Sequence, residues 1–400
     1  MGYLGNTVSD MLSGVFLLFF IAAAGTVLGS IKIKGFSLGA AGVLIAAVCY
    51  GALAHCVPAI SFGGVSIELF GAGLRADFAM VSSLGAVIFI SAVGMSAGPD
   101  FFRSFSGKTV KYALVSVIII LTDAAAAAVL LRLDVSLTRE MCVGIMTGAL
   151  TSTPGLSAAK EAASGSADMI TAGYGIAYFF GVLGVVLFVQ LVPRLEKCGM
   201  ALECSRLAHE SGGGERACNG SYISLDRRGF FPVALTIVLG CLIGAVRLPK
   251  TGFSFGSTGG TLIAGLVIGH FGHIGRVDCR IDKKELDFLR QLGLVLFLTG
   301  SGVPAGVSFL QYVRPAYFFY GAVMTVLPMI VGFFVMRRVF KIELLNCLGA
   351  ITGGMTSTPA LGTLIAISGS DEPASAYAAS DPAAMVTLVI IAKIMTGGTA

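Results

Sequence analysis

The tetrapeptide Thr-Ser-Thr-Pro occurs twice, as Thr151-Ser152-Thr153-Pro154 and as Thr356-Ser357-Thr358-Pro359, each time inside a long apolar stretch that also carries glycines. Three hydroxyls and a helix-breaking proline are costly at lipid depth unless protein or water surrounds them. Their duplication points to two halves of one chain that converge on a single binding site, the plan of many secondary transporters.

Composition sets the class. Hydrophobic residues make up 56% of the chain and charged residues 12%, against about 25% charged in ordinary soluble domains. The 54 glycines suit closely packed membrane helices. Twelve apolar runs long enough for a span of about 20 residues lie near 11–29, 36–54, 81–98, 110–131, 141–159, 170–192, 230–246, 254–270, 288–306, 316–335, 344–366 and 376–396. The first reads as a retained helix and not as a removed signal peptide, because no Lys or Arg precedes it. The net charge of +5 sits in loops, as the orientation rule for membrane proteins requires, and implies no nucleic-acid partner. Cys198, Cys204, Cys218 and His209 match no zinc spacing, so no metal is expected, and no cofactor either. No ATP-binding glycine loop and no clustered His, Cys and carboxylate set at membrane depth occur, so an enzyme is not expected.

Repetition extends beyond the tetrapeptide. Gly35-Phe36-Ser37-Leu38-Gly39 answers Gly252-Phe253-Ser254-Phe255-Gly256, and Leu84-Gly85-Ala86-Val87-Ile88-Phe89 answers Leu292-Gly293-Leu294-Val295-Leu296-Phe297. Gly94 and Gly98 answer Gly302 and Gly306. The pairs keep their order, with an offset that drifts by a few loop residues. The chain therefore divides into a first membrane repeat (1–193), a hydrophilic cytoplasmic linker (194–228) containing Ser211-Gly212-Gly213-Gly214, and a second membrane repeat (229–400). In the first half the basic loops are 30–35 and 99–111; in the second they are 271–287 and 336–343, which are not the corresponding loops. Under the positive-inside rule that swap predicts inverted-topology repeats. Six full crossings per half would leave both halves in one orientation, so one segment in each half must be broken or re-entrant. The Thr-Ser-Thr-Pro segments are those two. The expected fold is an all-α polytopic membrane protein of about 10–12 transmembrane segments, with about ten full crossings and two broken or re-entrant elements that meet at mid-membrane.

The paired motif, the linker between halves, and Gly94-x-x-x-Gly98-Pro99 with Phe101-Phe102 resemble the aspartate:alanine exchanger family of bacterial inner-membrane antiporters, over about residues 11–396. The resemblance implies exchange of small carboxylates, a multi-pass protein of the inner membrane, and two broken helices crossing at mid-membrane. Many relatives carry two soluble regulatory domains between the halves, whereas this chain has only the short linker. It also has Gly302-Val303-Pro304-Ala305-Gly306-Val307 opposite the first glycine motif, and Tyr178-Phe179 and Asp381-Pro382 where relatives show Tyr-Pro.

Thr151, Ser152, Thr153, Pro154, Thr356, Ser357, Thr358 and Pro359 are the expected substrate-binding residues: half-helix N-termini can face a carboxylate, and freed carbonyls and hydroxyls can hold Na⁺. The competing reading is that the hydroxyls bond back to their own helix. Asp123, in the middle of Val115–Leu131, is an intramembrane carboxylate and a coupling candidate, unless it caps a break there. Asp381 is a second coupling candidate or, equally, the N-cap of the last helix with Pro382 at its first position. Lys160 binds a carboxylate by charge, or else pairs with Glu161 or snorkels to the interface. Gly148, Gly155, Gly353 and Gly354 are hinge or packing positions. The expected partners are small carboxylates, Na⁺ or H⁺, the lipid bilayer and a second copy of the chain. The function expected first is antiport of aspartate, alanine or dicarboxylates; the alternative is a cation:proton antiporter working through an intramembrane Asp.

Overall fold

The computed structural model describes residues 14–33, 36–37, 40–62, 65–103, 109–163, 165–196, 226, 228–247, 255–368 and 372–397. The first half holds α1 (Gly14–Ser30), α2 (Ala40–Cys56), α3 (Ala72–Arg103), α4 (Val110–Leu133), α5 (Arg139–Ala149), α6 (Thr153–Ala162) and α7 (Ala167–Leu195). The second holds α8 (Phe230–Ala245), α9 (Gly256–Phe271), α10 (Lys283–Tyr312), α11 (Pro315–Phe334, continued by a π turn over Val335–Val339), α12 (Leu344–Gly354), α13 (Thr358–Ser368) and α14 (Glu372–Gly397). Three two-stranded antiparallel hairpins fill loops, Lys32–Ile33 with Phe36–Ser37, Ala59–Phe62 with Val65–Glu68, and His273–Ile274 with Val277–Asp278. Most of the linker, including its cysteines and His209, lies outside the described residues.

The chain is thus an all-α polytopic membrane protein. Among the described residues, six helices are long and apolar enough to cross a membrane: α3, α4, α7, α10, α11 and α14. The helices α1, α2, α8 and α9 have 16 or 17 residues, about 25 Å of rise, and pack beside these. Glycines let the backbones approach: Gly94 and Gly98 of α3 lie on Gly265 and Gly269 of α9, Gly302 and Gly306 of α10 lie on Leu44, Ala47 and Gly51 of α2, and Gly85 and Gly293 press on each other where α3 and α10 cross. One layer is α1–α3 with α8–α10; the other is α4–α7 with α11–α14.

The two Thr-Ser-Thr-Pro segments are not single helices, so two of the twelve apolar runs are broken. The helix α5 runs alongside and in the same direction as α7, with Gly144 against Ile170 and Gly148 against Tyr174. Both helices therefore start at one end of the bundle. The ten residues of α6, about 15 Å, must return to that end, because only 163–166 separate α6 from α7. The second pair repeats the pattern: Gly349 lies against Pro373 and Gly353 against Tyr377, so α12 runs with α14 and α13 turns back. Lys393, near the end of α14, meets Glu161 at the end of α6, whereas α13 ends where α14 begins. The two hairpins therefore enter from opposite ends of the bundle.

The helix directions place the charged residues at the two ends of the bundle. Lys111, Arg228, Arg276, Arg280, Lys283, Lys284, Arg337, Arg338 and Lys341 gather at the end where α7 leaves and α8 begins, while Arg75, Arg132, Arg139, Arg247 and Arg314 mark the other. At the first end Arg337 pairs with Glu196 at 2.6 Å. At the second the Tyr320 hydroxyl donates to Asp134 at 2.9 Å. Each contact ties α11 to the first half.

Candidate functional site

Each break is imposed by its proline. In an unbroken helix Pro154 would sit against the carbonyl of Leu150 and give it no N–H, and Pro359 would do the same to Met355. The chain instead turns left-handed one residue later, at Thr151 (φ 54°) and Thr356 (φ 50°). Ser152 N–H then donates to Thr147 C=O and Ser357 N–H to Thr352 C=O, both at 2.9 Å, which closes α5 and α12 with the same C-terminal cap. That cap is usually built on glycine, and a β-branched residue with positive φ is strained by about 1–2 kcal/mol.

What holds the strained threonines is each other's orphaned carbonyl. The Thr151 hydroxyl donates to Met355 C=O at 3.0 Å and to Thr356 C=O at 3.2 Å. The Thr356 hydroxyl donates to Leu150 C=O at 2.7 Å. The carbonyl stranded by one proline is satisfied by the threonine of the other half, and the two hairpin tips are tied into one unit.

The remaining motif residues divide. Ser152 caps α6, its Oγ accepting from Gly155 N–H at 3.2 Å. The corresponding Ser357 Oγ, wholly buried at the start of α13, has no hydrogen-bond partner among the described residues. Thr153 lies 3.3 Å from the hydroxyl of Tyr174, which stacks obliquely on Tyr178. Pro154 and Pro359 occupy matching places in the first turns of α6 and α13. The side chain of Thr358 lies outside the described residues. Gly148 presses on α7 and Gly353 on α14, and Gly354 faces Ser116 and Ile119 of α4; Gly155 meets Leu388 of α14. The positive ends of α6 and α13 thus point into the middle of the bundle, each equivalent to about half a unit charge.

Two carboxylates lie close to the tips. Asp123 is fully buried in α4, one turn from Ile119, which meets Gly354, and one turn from Ala127, whose carbonyl accepts the Cys142 thiol of α5. Neither of its oxygens has a hydrogen-bond partner among the described residues. The helix is continuous through it, so Asp123 caps no break, contrary to the alternative; the alanine run 124–128 is strongly helical. Asp381 is likewise inside α14, which begins at Glu372, so it is not the N-cap of the last helix. Its backbone passes beside Gly353, it accepts a hydrogen bond from Tyr377, and its Oδ1 is unpartnered among the described residues. Since Gly148 lies on Tyr174 and Gly353 on Tyr377, Asp381 occupies the place that Tyr178 has in the first half.

Lys160 does not pair with Glu161. It turns into the seam between the layers, donating to Ser301 and Ser82. Glu161 instead accepts from the hydroxyls of Ser257 (2.7 Å) and Thr258 (2.8 Å), caps the N-terminus of α9, and pairs with Lys393 at 3.2 Å. Nothing local in the sequence signals this cluster, because its members come from three distant helices. The Lys393 side chain is 6% exposed and that of Glu161 26%. Glu161→Gln is therefore expected to destabilise the protein by about 2 kcal/mol, less than a fully buried pair would lose. Adding Lys393→Met should restore most of the loss, since no ammonium is then left unpaired. Thermal unfolding in detergent reads both; an unchanged midpoint in the single variant, or no recovery in the double, counts against the clasp.

The family model described as a predicted permease membrane region, Asp-Al_Ex, matches residues 17–194 and 232–397. An uncharacterized transporter of Bacteroides fragilis is 28% identical over 548 aligned residues, covering 97% of this chain and 99% of that protein. One of Desulfotalea psychrophila is 25% identical, covering 98% of each. One of Symbiobacterium thermophilum is 36% identical over 44% of this chain and 30% of its own length. The 548-residue alignment exceeds this chain's 400 residues, so the Bacteroides relative carries long insertions that are missing here. With a family model matching both halves, membrane-length apolar helices and relatives that are named transporters, two of them matched over nearly their whole length, the chain belongs to the Asp-Al_Ex permease family and is a multi-pass membrane transporter.

Proposed function

We propose that the protein is a secondary antiporter of small carboxylates, such as aspartate, alanine or dicarboxylates, working by alternating access in a bacterial inner membrane. The observation that carries this reading is the reciprocal tie between the two breaks, which aims two half-helix N-termini at the middle of the bundle. Paired positive helix ends favour a carboxylate there, and a mutually tied pair moves as one body against the other layer. Opposite hairpin entry and self-contact of corresponding residues, Thr151 with Thr356 and Gly85 with Gly293, support inverted-topology repeats. The gathering of basic residues at the linker end supports a cytoplasmic linker.

In purified protein reconstituted into liposomes, labelled aspartate should enter only when the lumen holds a counter-carboxylate, and an imposed ion gradient should not replace it. Uptake that ignores internal carboxylate and follows a Na⁺ or H⁺ gradient would establish the second reading, cation:proton coupling. That reading has its own support in both oxygens of Asp123 and Oδ1 of Asp381, which are unpartnered among the described residues.

A further inference from the structure

Lys160 is an enclosed ammonium with no carboxylate in ion-pair contact among the described residues. Its Nζ donates to Oγ of Ser301 and, at 3.2 Å, to Oγ of Ser82; the two hydroxyls are 2.7 Å apart. The charge lies 5.3 Å from the centre of the Phe297 ring. Glu161, its neighbour in the chain, is committed to Lys393, Ser257 and Thr258. Asp168 acts on Lys160 only from beyond ion-pair distance, and no other acidic group among the described residues pairs with it. The residue keeps part of its surface open. An ammonium and two hydroxyls from three helices, α6, α3 and α10, thus converge with no carboxylate in ion-pair contact, at the seam between the two layers.

A charge in such a place is expected to pair or to hold a ligand. Lys160 comes seven residues after Thr153, about 10 Å along the axis of α6, and a helical side chain leans back toward the N-terminus. The ammonium is therefore brought back toward the hairpin tips, within the span of a short molecule with an acid group at each end. The second half has Ile365 at the matching position, so the cradle occurs once. We propose that Lys160, with Ser82 and Ser301, holds the distal carboxylate of the substrate and makes the transporter selective for dicarboxylates and acidic amino acids over monocarboxylates. This rests on the carboxylate-antiport reading: one carboxylate lies on the half-helix amides, the other on Lys160, in a single orientation.

Lys160→Met keeps the length of the side chain and removes the charge. In proteoliposomes, competition against labelled uptake should show aspartate and succinate weakened about tenfold to a hundredfold, the worth of a charge-assisted hydrogen bond, while alanine changes by less than about threefold. Lys160→Arg should recover part of the difference. A folded Lys160→Met protein that loses both classes equally, or neither, overturns the proposal. If that variant does not fold, Ser301→Ala is read in the same way, and an equal loss of both classes again overturns it. Wild-type protein that takes aspartate and alanine with equal affinity removes the role of Lys160 and leaves the carboxylate reading standing. Wild-type protein that takes neither removes both.

Discussion

Thr151→Val and Thr356→Val should each slow transport by roughly tenfold to a hundredfold, and Ser at either position should retain most of it. Valine keeps the β-branched shape and hence the left-handed strain, so the change isolates the hydroxyl. Losing it strands Met355 C=O in one variant and Leu150 C=O in the other, at about 1–3 kcal/mol for each buried acceptor. The loss falls on function because the hydroxyls hold the two helix N-termini at one point. Since both bonds serve one contact, the double Val variant should lose less than the product of the single effects. Initial rates at matched amounts of monodisperse protein give the answer. Full activity in both Val variants, or Ser variants as slow as Val, would show that the tie does not position the site.

Much of this architecture is readable from local signals. Apolar runs locate the helices, and Pro154 and Pro359 locate the breaks, because a missing N–H and a ring clash act within one helical turn. The swap of basic loops predicts inverted halves, and with six apolar runs in each that expectation requires one segment per half to turn back, before any contact is known. Boundaries are less legible: α3 begins at Ala72, well before the apolar run at 81, because Arg75 and Asp77 lie in its first turns and lower the local hydropathy without breaking the helix. Which hydroxyl satisfies which carbonyl is not legible at all. Thr151, Thr153, Thr356 and Thr358 are alike in sequence, and only the meeting of two hairpins from opposite ends gives Thr151 and Thr356 their partners. Asp381-Pro382 misleads in the same way. It is a good local start signal, but a proline is tolerated inside a membrane helix when neighbours supply the freed groups, and α14 runs through it.

Asp123→Asn and Asp381→Asn should have the other large effect, and they separate the two functional readings. A carboxylate with an unpartnered oxygen at that depth is protonated or holds a cation, because a bare buried charge is too costly. If one of the two couples transport to protons, its Asn variant should abolish the pH dependence of uptake, since the amide keeps the shape but exchanges no proton. On its limiting limb, a single-proton step changes the rate by up to about tenfold per pH unit, so flattening it is easily read across a pH series in proteoliposomes. Asp381 also accepts from Tyr377, so Tyr377→Phe should shift the profile if Asp381 couples and leave it in place if Asp123 does. Carboxylate exchange without proton coupling predicts a different result: both Asn variants transport with an unchanged pH profile. Loss of folded protein in Asp123→Asn alone would give that residue a structural role, and the pH series of Asp381→Asn would then decide between coupled and uncoupled exchange.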